Sequence, residues 1–434
     1  MRRAPLALAL LASAALAASR PRAGGTLSVV VTGPLPPADP VELTTASDAA
    51  LLPLFAAPLC RLEGERTVGV LVRSTSWVSP TALRLEVRPG SRTASGELLN
   101  ASKVAAMLTR ARRTASPYRG LLWALDTVTV TENVVQLNLK ASAPELESAL
   151  CHPALAVPAA TPTAVGPFVR GSAPHLWLAN LGFPAGRPWA DALSLTQADA
   201  RTAERAVGQR RAQVALGVPA PQLGALLRAT YLRFTPRAVE PSFRAAVESV
   251  LDREELARFF LKGPAAPLVG LVPGVPAPPA STAPAPLHPP RTVTLAFDQA
   301  DEDHRAIATR LQVKLDALGY RVKPLPLPRS ELLQRWSDGT LELSLHGVWL
   351  PPSTPAALAV AVELATRGST PTPLASPAVR DEHAGAFAAT LAPQLDLLPL
   401  AVQGLSLKTA AGLAAPPRDA TGLPRLDDLP LGND

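Results

Sequence analysis

Segments with strand-like and helix-like patterns of apolar residues alternate along the first third of the chain. Residues 27–31 form a short β-branched run that predicts a buried strand, and residues 81–87 alternate apolar and polar side chains as a half-exposed strand does. Asn100 precedes a segment to about residue 113 whose apolar side chains share one face, which predicts an N-capped amphipathic helix. Residues 128–140 contain two strand-like pieces and predict a hairpin.

The clearest alternation of strand and helix lies in the second half of the chain. Residues 292–297 predict a strand, residues 303–318 a helix and residues 320–327 a second strand. A helix at 330–336 and a strand at 341–345 continue the series. Strands separated by helices are typical of a parallel α/β sheet, so this region predicts the core of a lobe of its own.

A proline-rich break separates this region from two predicted helices before it. The helices cover residues 199–211 and 241–261. The break, residues 263–290, is rich in Pro, Ala and Gly, a composition that disfavours regular structure. We therefore expect it to wrap a surface or to join two domains.

The composition is that of a folded protein. Of its 434 residues, 47% are hydrophobic and 18% are charged, which excludes a disordered tail and suits two or three domains. The formal net charge of +7 does not indicate a nucleic-acid partner, because the densest basic patches, at 110–113 and 201–211, lie on predicted helices where a solvated face explains them. Aromatic residues make up only 4% of the chain and offer few platforms for base stacking.

The N-terminal residues, MRRAPLALALLASAALAAS, have the organisation of a secretory signal peptide. Two arginines precede an apolar run that is too short to span a bilayer. Ala15-Leu16-Ala17 fits the small-x-small pattern of a cleavage site. We therefore expect residues 1–17 to be removed and the mature protein to be soluble and periplasmic. It should not be lipid-anchored, because no cysteine lies near the cleavage site.

The chain has two cysteines, Cys60 and Cys151, and an oxidising compartment permits them to pair. Two buried free thiols are the alternative, because the sequence does not show how far apart the residues lie. The six histidines are scattered without the spacing of a zinc motif, so no metal site is expected.

No catalytic motif is present in the sequence. The chain has no Gly-x-Ser-x-Gly elbow, no phosphate-binding Gly-x-x-x-x-Gly-Lys loop, no His-Glu-x-x-His and no Gly-x-Gly-x-x-Gly fingerprint. We therefore expect a protein that is not an enzyme and carries no cofactor.

Nine segments occur in the order that is found in one family of binding proteins. They are GGTLSVVV with its loop to Asp39-Pro40, LLPLFAAPLCRLE, LRLEVRPGSRTASGELLNASKVAAMLTRAR, Ser116-Pro117-Tyr118, VGPF, GRPW, FRAAVESVLDRE, LLPLAVQGLSLKTAAGL and DATGLPRLDDLPL. In these segments the chain resembles the periplasmic solute-binding proteins of ABC transporters that carry peptides and nickel, solute-binding protein family 5. The last two are similar to the strands with which that family returns to its first lobe.

The resemblance implies a type II periplasmic-binding-protein-like fold with two α/β lobes and an extra subdomain inserted in the first. Lobe I would comprise residues 18–45, 155–262 and 390–434, the inserted subdomain residues 46–154, and lobe II residues 263–389 with the linker 263–290 at its start. Closure of the lobes would bury a peptide or a similar small solute, and the closed form would dock on the permease subunits of the inner membrane. A monomer is expected.

The same resemblance implies the residues that would contact the solute. They are Leu35 and Pro36 in the loop after the first strand, Tyr118, and His346 and Trp349 at the edge of lobe II. For the two aromatic residues, packing in the core or in a lid is the alternative.

The chain also departs from the family pattern. Lys103 stands where the family has an acidic residue, and residues 346–353 contain no carboxylate, although peptide-binding members often carry one there for the ligand's amino group. The chain is also shorter than most relatives between Trp349 and Thr390. A second hypothesis is therefore a degenerate binding fold that acts as a protein-interaction module without a transported ligand.

Overall fold

The computed structural model describes residues 23–64, 66–93, 95–158, 165–220, 222–235, 241–276, 292–367 and 384–431. The predicted signal peptide lies outside these ranges. Within them, no helix combines the length and the apolar character needed to cross a membrane.

The described residues form seventeen strands and ten α-helices. The strands are β1 (Thr26–Val31), β2 (Cys60–Glu63), β3 (Arg66–Gly69), β4 (Val72–Ser79), β5 (Ala82–Val87), β6 (Leu125–Thr131), β7 (Val134–Leu139), β8 (Phe168–Arg170), β9 (Leu176–Ala179), β10 (Ala192–Gln197), β11 (Val214–Leu216), β12 (Gln222–Phe234), β13 (Ala265–Pro267), β14 (Thr292–Asp298), β15 (Arg321–Leu327), β16 (Leu343–Trp349) and β17 (Leu397–Thr409). The helices are α1 (Ala46–Leu51), α2 (Ala101–Arg113), α3 (Leu146–Ala149), α4 (Ala200–Gly208), α5 (Pro241–Val250), α6 (Arg253–Glu255), α7 (Glu302–Asp316), α8 (Arg329–Asp338), α9 (Thr354–Thr366) and α10 (Ala384–Leu391).

The first lobe is built on β1, which lies between two parallel neighbours. β1 pairs with β10 on one side and with β11 on the other, and β9 and β8 extend the sheet antiparallel beyond β10. Leu27, Val29 and Val31 are fully buried in this position. The apolar run therefore forms the buried strand that its pattern predicts, because a central parallel strand is covered on both faces.

Two long antiparallel strands connect the first lobe to the second. The C-terminal end of β17 pairs with β11, while the rest of it pairs with β12. Residues 228–234 of β12 in turn pair with β16, so one sheet runs continuously from β8 to β15. The two lobes thus share β12 and β17.

The second lobe has the βαβ arrangement that the sequence predicts. β14 pairs in parallel with β15 and with β16, and α7 connects β14 to β15. The side chain of Asp301 caps α7 by accepting hydrogen bonds from the backbone N–H groups of Asp303 and His304. Each element matches its predicted bounds to within a few residues.

Helix α5 belongs to this second core. Phe243 and Val247 of α5 share a buried cluster with Ile307 of α7 and Leu345 of β16. The resemblance places residues 241–262 in lobe I, but this packing favours assigning them to lobe II. The other predicted lobe boundaries stay a prediction.

Residues 46–154, which we call the inserted subdomain, contain a separate four-stranded sheet in the order β4-β5-β7-β6. Helix α2 packs on it and is capped by Asn100, whose side chain accepts a hydrogen bond from the backbone N–H of Lys103 at 3.0 Å. Cys60 and Cys151 form a disulfide with their Cα atoms 4.5 Å apart. Of the two alternatives for the cysteines, the structure therefore has the bonded one.

Three sequence predictions are corrected by the structure. The linker is not wholly irregular, since β13 forms within it and pairs with the edge of β17, while residues 277–290 lie outside the described ranges. The strand predicted at 341–345 extends to Trp349 because β12 pairs with it along its length. The segment DATGLPRLDDLPL forms an isolated bridge between Arg418 and Pro424 and a 3₁₀ helix, Leu426–Asp428, rather than a strand. Its two prolines lack the N–H group that a ladder needs.

Candidate functional site

A cavity of about 110 Å³, open to solvent on one side, lies where both lobes and the inserted subdomain meet. Leu54 and Leu62 line it from the subdomain, Phe183 from the turn between β9 and β10, and Trp349 from the end of β16. Much of the remaining wall consists of prolines, namely Pro53, Pro58, Pro153, Pro167, Pro351, Pro352 and Pro424. Proline has no N–H to donate, so this wall suits the apolar body of a ligand.

One wall of the cavity is helix α1, whose start is fixed by a capping box. The backbone N–H of Asp48 donates to the Thr45 hydroxyl at 3.0 Å, and the backbone N–H of Thr45 donates to the Asp48 carboxylate at 2.9 Å. Ala49 and Ala50 of α1 face the cavity. Their small side chains leave its volume free.

His152 connects the subdomain to lobe II at the cavity wall. Its Nε2 lies 2.9 Å from the backbone oxygen of Trp349, and its Nδ1 accepts a hydrogen bond from the backbone N–H of Ala154 at 3.2 Å. Nδ1 is therefore the unprotonated nitrogen and Nε2–H the donor. Burial lowers the pKa of His152 to about 4, against the opposing effect of the hydrogen bond to Trp349. The imidazole is neutral at physiological pH and adds no charge to the wall.

Charged residues gather at one edge of the cavity. Arg61 and Arg425 both line it, and both contact Glu63, at 2.8 Å and 3.6 Å respectively. Arg425 also pairs with Asp428. These four side chains form an alternating network in which each charge has an opposite neighbour.

Two further carboxylates line the same edge. Asp419 accepts hydrogen bonds through Oδ1 from the backbone N–H groups of Thr421 and Leu423 at 2.8 Å and 3.0 Å. Asp427 belongs to the 3₁₀ helix Leu426–Asp428, and its backbone oxygen accepts a hydrogen bond from the N–H of Trp189 at 3.0 Å. Burial raises the pKa of both carboxyl groups.

A second, polar cleft of about 130 Å³ lies between the loop after β1 and the start of α7. The guanidinium of Arg228 is buried at its base and binds Asp301, Asp303 and Gln403. Burial raises the pKa of Asp301, but the charge of Arg228 and that of His304 outweigh it and lower the pKa to about 2. Because the charges in this cleft are paired with one another, it offers a ligand few uncommitted groups.

The lobes also meet in a buried ion-pair cluster. Arg329 at the start of α8 binds Asp298 at 2.9 Å and reaches Asp48, at the start of α1, at 3.4 Å. Burial disfavours the charged guanidinium, yet the two carboxylates raise the pKa of Arg329 above its usual value. This cluster connects the inserted subdomain, through Asp48, to lobe II.

Two residues predicted to contact the solute are buried and make hydrogen bonds within the protein. Tyr118 is 1% exposed, and its hydroxyl donates to the backbone oxygen of Leu43 at 2.9 Å while accepting the N–H of Trp349 at 2.7 Å. His346 is 3% exposed and lies 2.9 Å from the Ser344 hydroxyl. Tyr118 lies in the 3₁₀ helix Pro117–Leu122 and His346 in the paired strand β16, and the side chains of both are buried.

The other three predicted residues lie nearer to open space. Trp349 lines the large cavity. Leu35 is 45% exposed, and Pro36 follows it in the loop whose Pro34 lines the polar cleft. Contact of all five predicted residues with a solute stays a prediction, and of the five only Trp349 lines the cavity with the charged edge.

Sequence reasoning missed the charged residues at both sites. Arg228 and Arg329 each lie in apolar or basic surroundings with no motif, and their partners are 75 and 281 residues away in the chain. The one sequence signal for Asp427 is that it is adjacent to Asp428, and such an acidic pair favours the interpretation of two solvated side chains. Within the described ranges, no group of three or more potential metal ligands gathers.

Comparison with solved structures identifies the fold. DppA from Helicobacter pylori in complex with the peptide STSA matches with a TM-score of 0.72 and 13% identity, over 95% of this chain and 99% of that one. The Escherichia coli murein tripeptide binding protein MppA matches with a TM-score of 0.72 and 13% identity, over 94% and 99% of the two chains. The PBP AgaA from A. tumefaciens R10, in complex with agropinic acid, matches with a TM-score of 0.70 and 16% identity, over 94% and 98%.

No family model and no curated protein sequence matches the chain. At such low identity, the structural matches concern the fold and its extent. They cover nearly the whole of each chain, which includes both lobes and the inserted subdomain. The protein thus has the two-lobed α/β fold of the family 5 periplasmic solute-binding proteins, and the predicted fold class is confirmed.

Proposed function

We propose that the protein is the extracytoplasmic solute-binding component of an ABC transporter and that its solute occupies the proline-lined cavity. The observation that carries this proposal is that both lobes and the inserted subdomain build the cavity together. Trp349 ends a strand of lobe II and Pro351 follows it, whereas Phe183 belongs to lobe I. A solute that touches both sides binds one relative position of the lobes better than others, which is the requirement for coupling binding to closure.

The proteins that share the fold support a small organic solute. DppA holds a peptide and AgaA holds agropinic acid. A peptide or a similar small solute is therefore the proposed cargo, with Trp349 as an apolar contact. The closed form would deliver it to permease subunits of the inner membrane, and the protein would act as a monomer without catalytic activity.

Ligand-dependent thermal unfolding tests this function. The mature chain is heated with members of a library of dipeptides, tripeptides, opines and metal chelates, since a solute that binds only the folded state raises Tm by mass action. Hits are then titrated against Ala185→Trp, which narrows the exposed mouth of the cavity, with Ala185→Ser as the matched control. We expect the Trp variant alone to lose binding. Equal binding to both variants would place the solute elsewhere.

Export is tested separately. Expression of the full chain in a bacterium with a periplasm should yield a soluble mature protein in the periplasmic fraction, with a mass that corresponds to loss of residues 1–17. Retention of the N-terminal segment on the purified protein would contradict the predicted cleavage.

The second hypothesis, a degenerate fold that binds another protein, is favoured by the contact between the inserted subdomain and lobe II. Tyr118 and Trp349, which the resemblance assigns to the solute cleft, bind each other there, and Arg119 of the subdomain forms an ion pair with the buried Glu363 of α9. A Cβ atom at Gly120 would clash with the backbone oxygen of Ala359. The molecule therefore fills this region with its own side chains.

Solution scattering distinguishes the two hypotheses. A transport receptor is expected to change its radius of gyration when the best library hit is added, because the lobes close around the solute. An interaction module is expected to show the same scattering curve with every library member and no rise in Tm.

A further inference from the structure

We propose that the cavity selects a solute with a cationic head on an apolar body, and that Asp427, assisted by Asp419, binds the head. This inference rests on the proposed function, since it takes the cavity as the solute site. It assigns the recognition of positive charge to the C-terminal segment of lobe I.

The charges at the edge of the cavity carry the first step. Arg61 and Arg425 are neutralised by Glu63 and Asp428, so these four side chains contribute no net charge. Asp427 lies beside this network, and among the described residues it shares no ion pair or side-chain hydrogen bond with another residue. The charges of Arg425 and Arg61 oppose the effect of burial on the pKa of Asp427. With Asp419 and Asp427 included, this edge nevertheless has four carboxylates against two guanidinium groups, and so keeps an excess of negative charge.

The position of the carboxylates carries the second step. Asp419 holds its turn together through Oδ1, by accepting hydrogen bonds from Thr421 and Leu423. None of these hydrogen bonds involves its Oδ2. A partly buried carboxylate without a cation is costly, and burial raises the pKa of both groups accordingly. The attraction of an ammonium or guanidinium group in the cavity to these carboxylates would offset part of this desolvation cost.

Apolar side chains form another part of the cavity wall. The end of β16 and the segment after it contribute Trp349, Pro351 and Pro352 to the cavity, and none of these residues has a carboxylate. Phe183 and Leu54 extend the same apolar surface. A solute in this cavity therefore meets both carboxylates and apolar side chains.

Three matched probes test the inference on the purified mature chain by calorimetric titration. Leucyl-leucinamide carries an ammonium group, N-acetyl-leucyl-leucinamide is neutral, and N-acetyl-leucyl-leucine is an anion of similar size. The protein variants are Asp427→Asn, Asp419→Asn and, as the control, Asp316→Asn, which removes the same charge from an exposed position of lobe II.

We expect the cationic probe to bind about tenfold or more tightly than the neutral one. Asp427→Asn should remove this preference without changing the affinity of the neutral probe, Asp419→Asn should reduce it, and Asp316→Asn should preserve it. If all three probes bind equally and Ala185→Trp blocks them, the solute site stands but its preference for cations is overturned. A preference that survives Asp427→Asn overturns the role of that residue. If no probe binds and no library member raises Tm, both this inference and the proposed function are overturned.

Discussion

The hydroxyl of Tyr118 in the inserted subdomain accepts a hydrogen bond from the backbone N–H of Trp349 in lobe II at 2.7 Å. The same hydroxyl donates to the backbone oxygen of Leu43, just before α1. One phenol group therefore satisfies a donor and an acceptor from two separate parts of the chain. Because all three groups are buried, each would be costly to leave unpaired.

Tyr118→Phe should lower the free energy of unfolding by about 1–3 kcal/mol, because it leaves the Trp349 N–H and the Leu43 carbonyl without a partner. Urea denaturation measures the loss. Tyr320→Phe is the matched control, since the Tyr320 hydroxyl is buried and makes no hydrogen bond in the described structure. Equal losses in the two variants would show that the Tyr118 hydrogen bonds contribute nothing specific.

Arg329→Met should lower the free energy of unfolding by about 3–5 kcal/mol, because Asp48 and Asp298 then stay buried without their cation. The control is Arg335→Met on the same helix. Arg335 pairs with Glu331 at the surface, where removal should cost less than about 1 kcal/mol. A small loss for Arg329→Met would mean that water reaches the two carboxylates.

Breaking the disulfide should destabilise the inserted subdomain, because the bond between Cys60 and Cys151 closes a loop across 91 residues. The expected loss is about 2–5 kcal/mol. It is measured as a fall in Tm on adding a reductant, which the double variant Cys60→Ser, Cys151→Ser should no longer show. A wild-type Tm that is insensitive to full reduction would contradict this expectation.

The stability of the protein should fall as the pH decreases from about 6.5 toward 4, in part because of His152. Burial lowers the pKa of His152 to about 4 in the folded state, whereas the unfolded chain has an ordinary histidine pKa of about 6.5. In this window the unfolded state binds the extra proton, so acid favours unfolding, and His152 accounts for up to about 3 kcal/mol.

Urea denaturation of wild type and His152→Gln across this pH range isolates the effect. The variant should show a shallower fall of stability with decreasing pH, since it has no imidazole to titrate at this position. His175→Gln, at an exposed histidine, is the control variant. Parallel pH curves for wild type and His152→Gln would remove His152 as the cause.

Local patterns determined much of the fold. The apolar run at 27–31 forms the buried strand β1, and Asn100 caps α2. Both features could be predicted because each has a signal within a few residues of sequence. The alternation from 292 to 327 predicted β14, α7 and β15 for the same reason. A chain's periodicity reports which face of an element is buried, and this information is local.

The candidate site depended on contacts that periodicity does not encode. Trp349 lies in a run of apolar residues, and pairing along β12 decides that it ends a strand and that Tyr118 binds its backbone. The Arg329–Asp48 pair joins residues 281 positions apart. Among the described residues Asp427 forms no ion pair of its own, whereas its neighbour Asp428 pairs with Arg425. The sequence by itself determined most of the strands and helices of the two lobes and the opportunity for a disulfide, but not β13 or the 3₁₀ helix Leu426–Asp428. Only the tertiary structure decided which polar groups pair with one another and which line the cavity. Such pairing depends on the distances between segments that lie far apart in the chain.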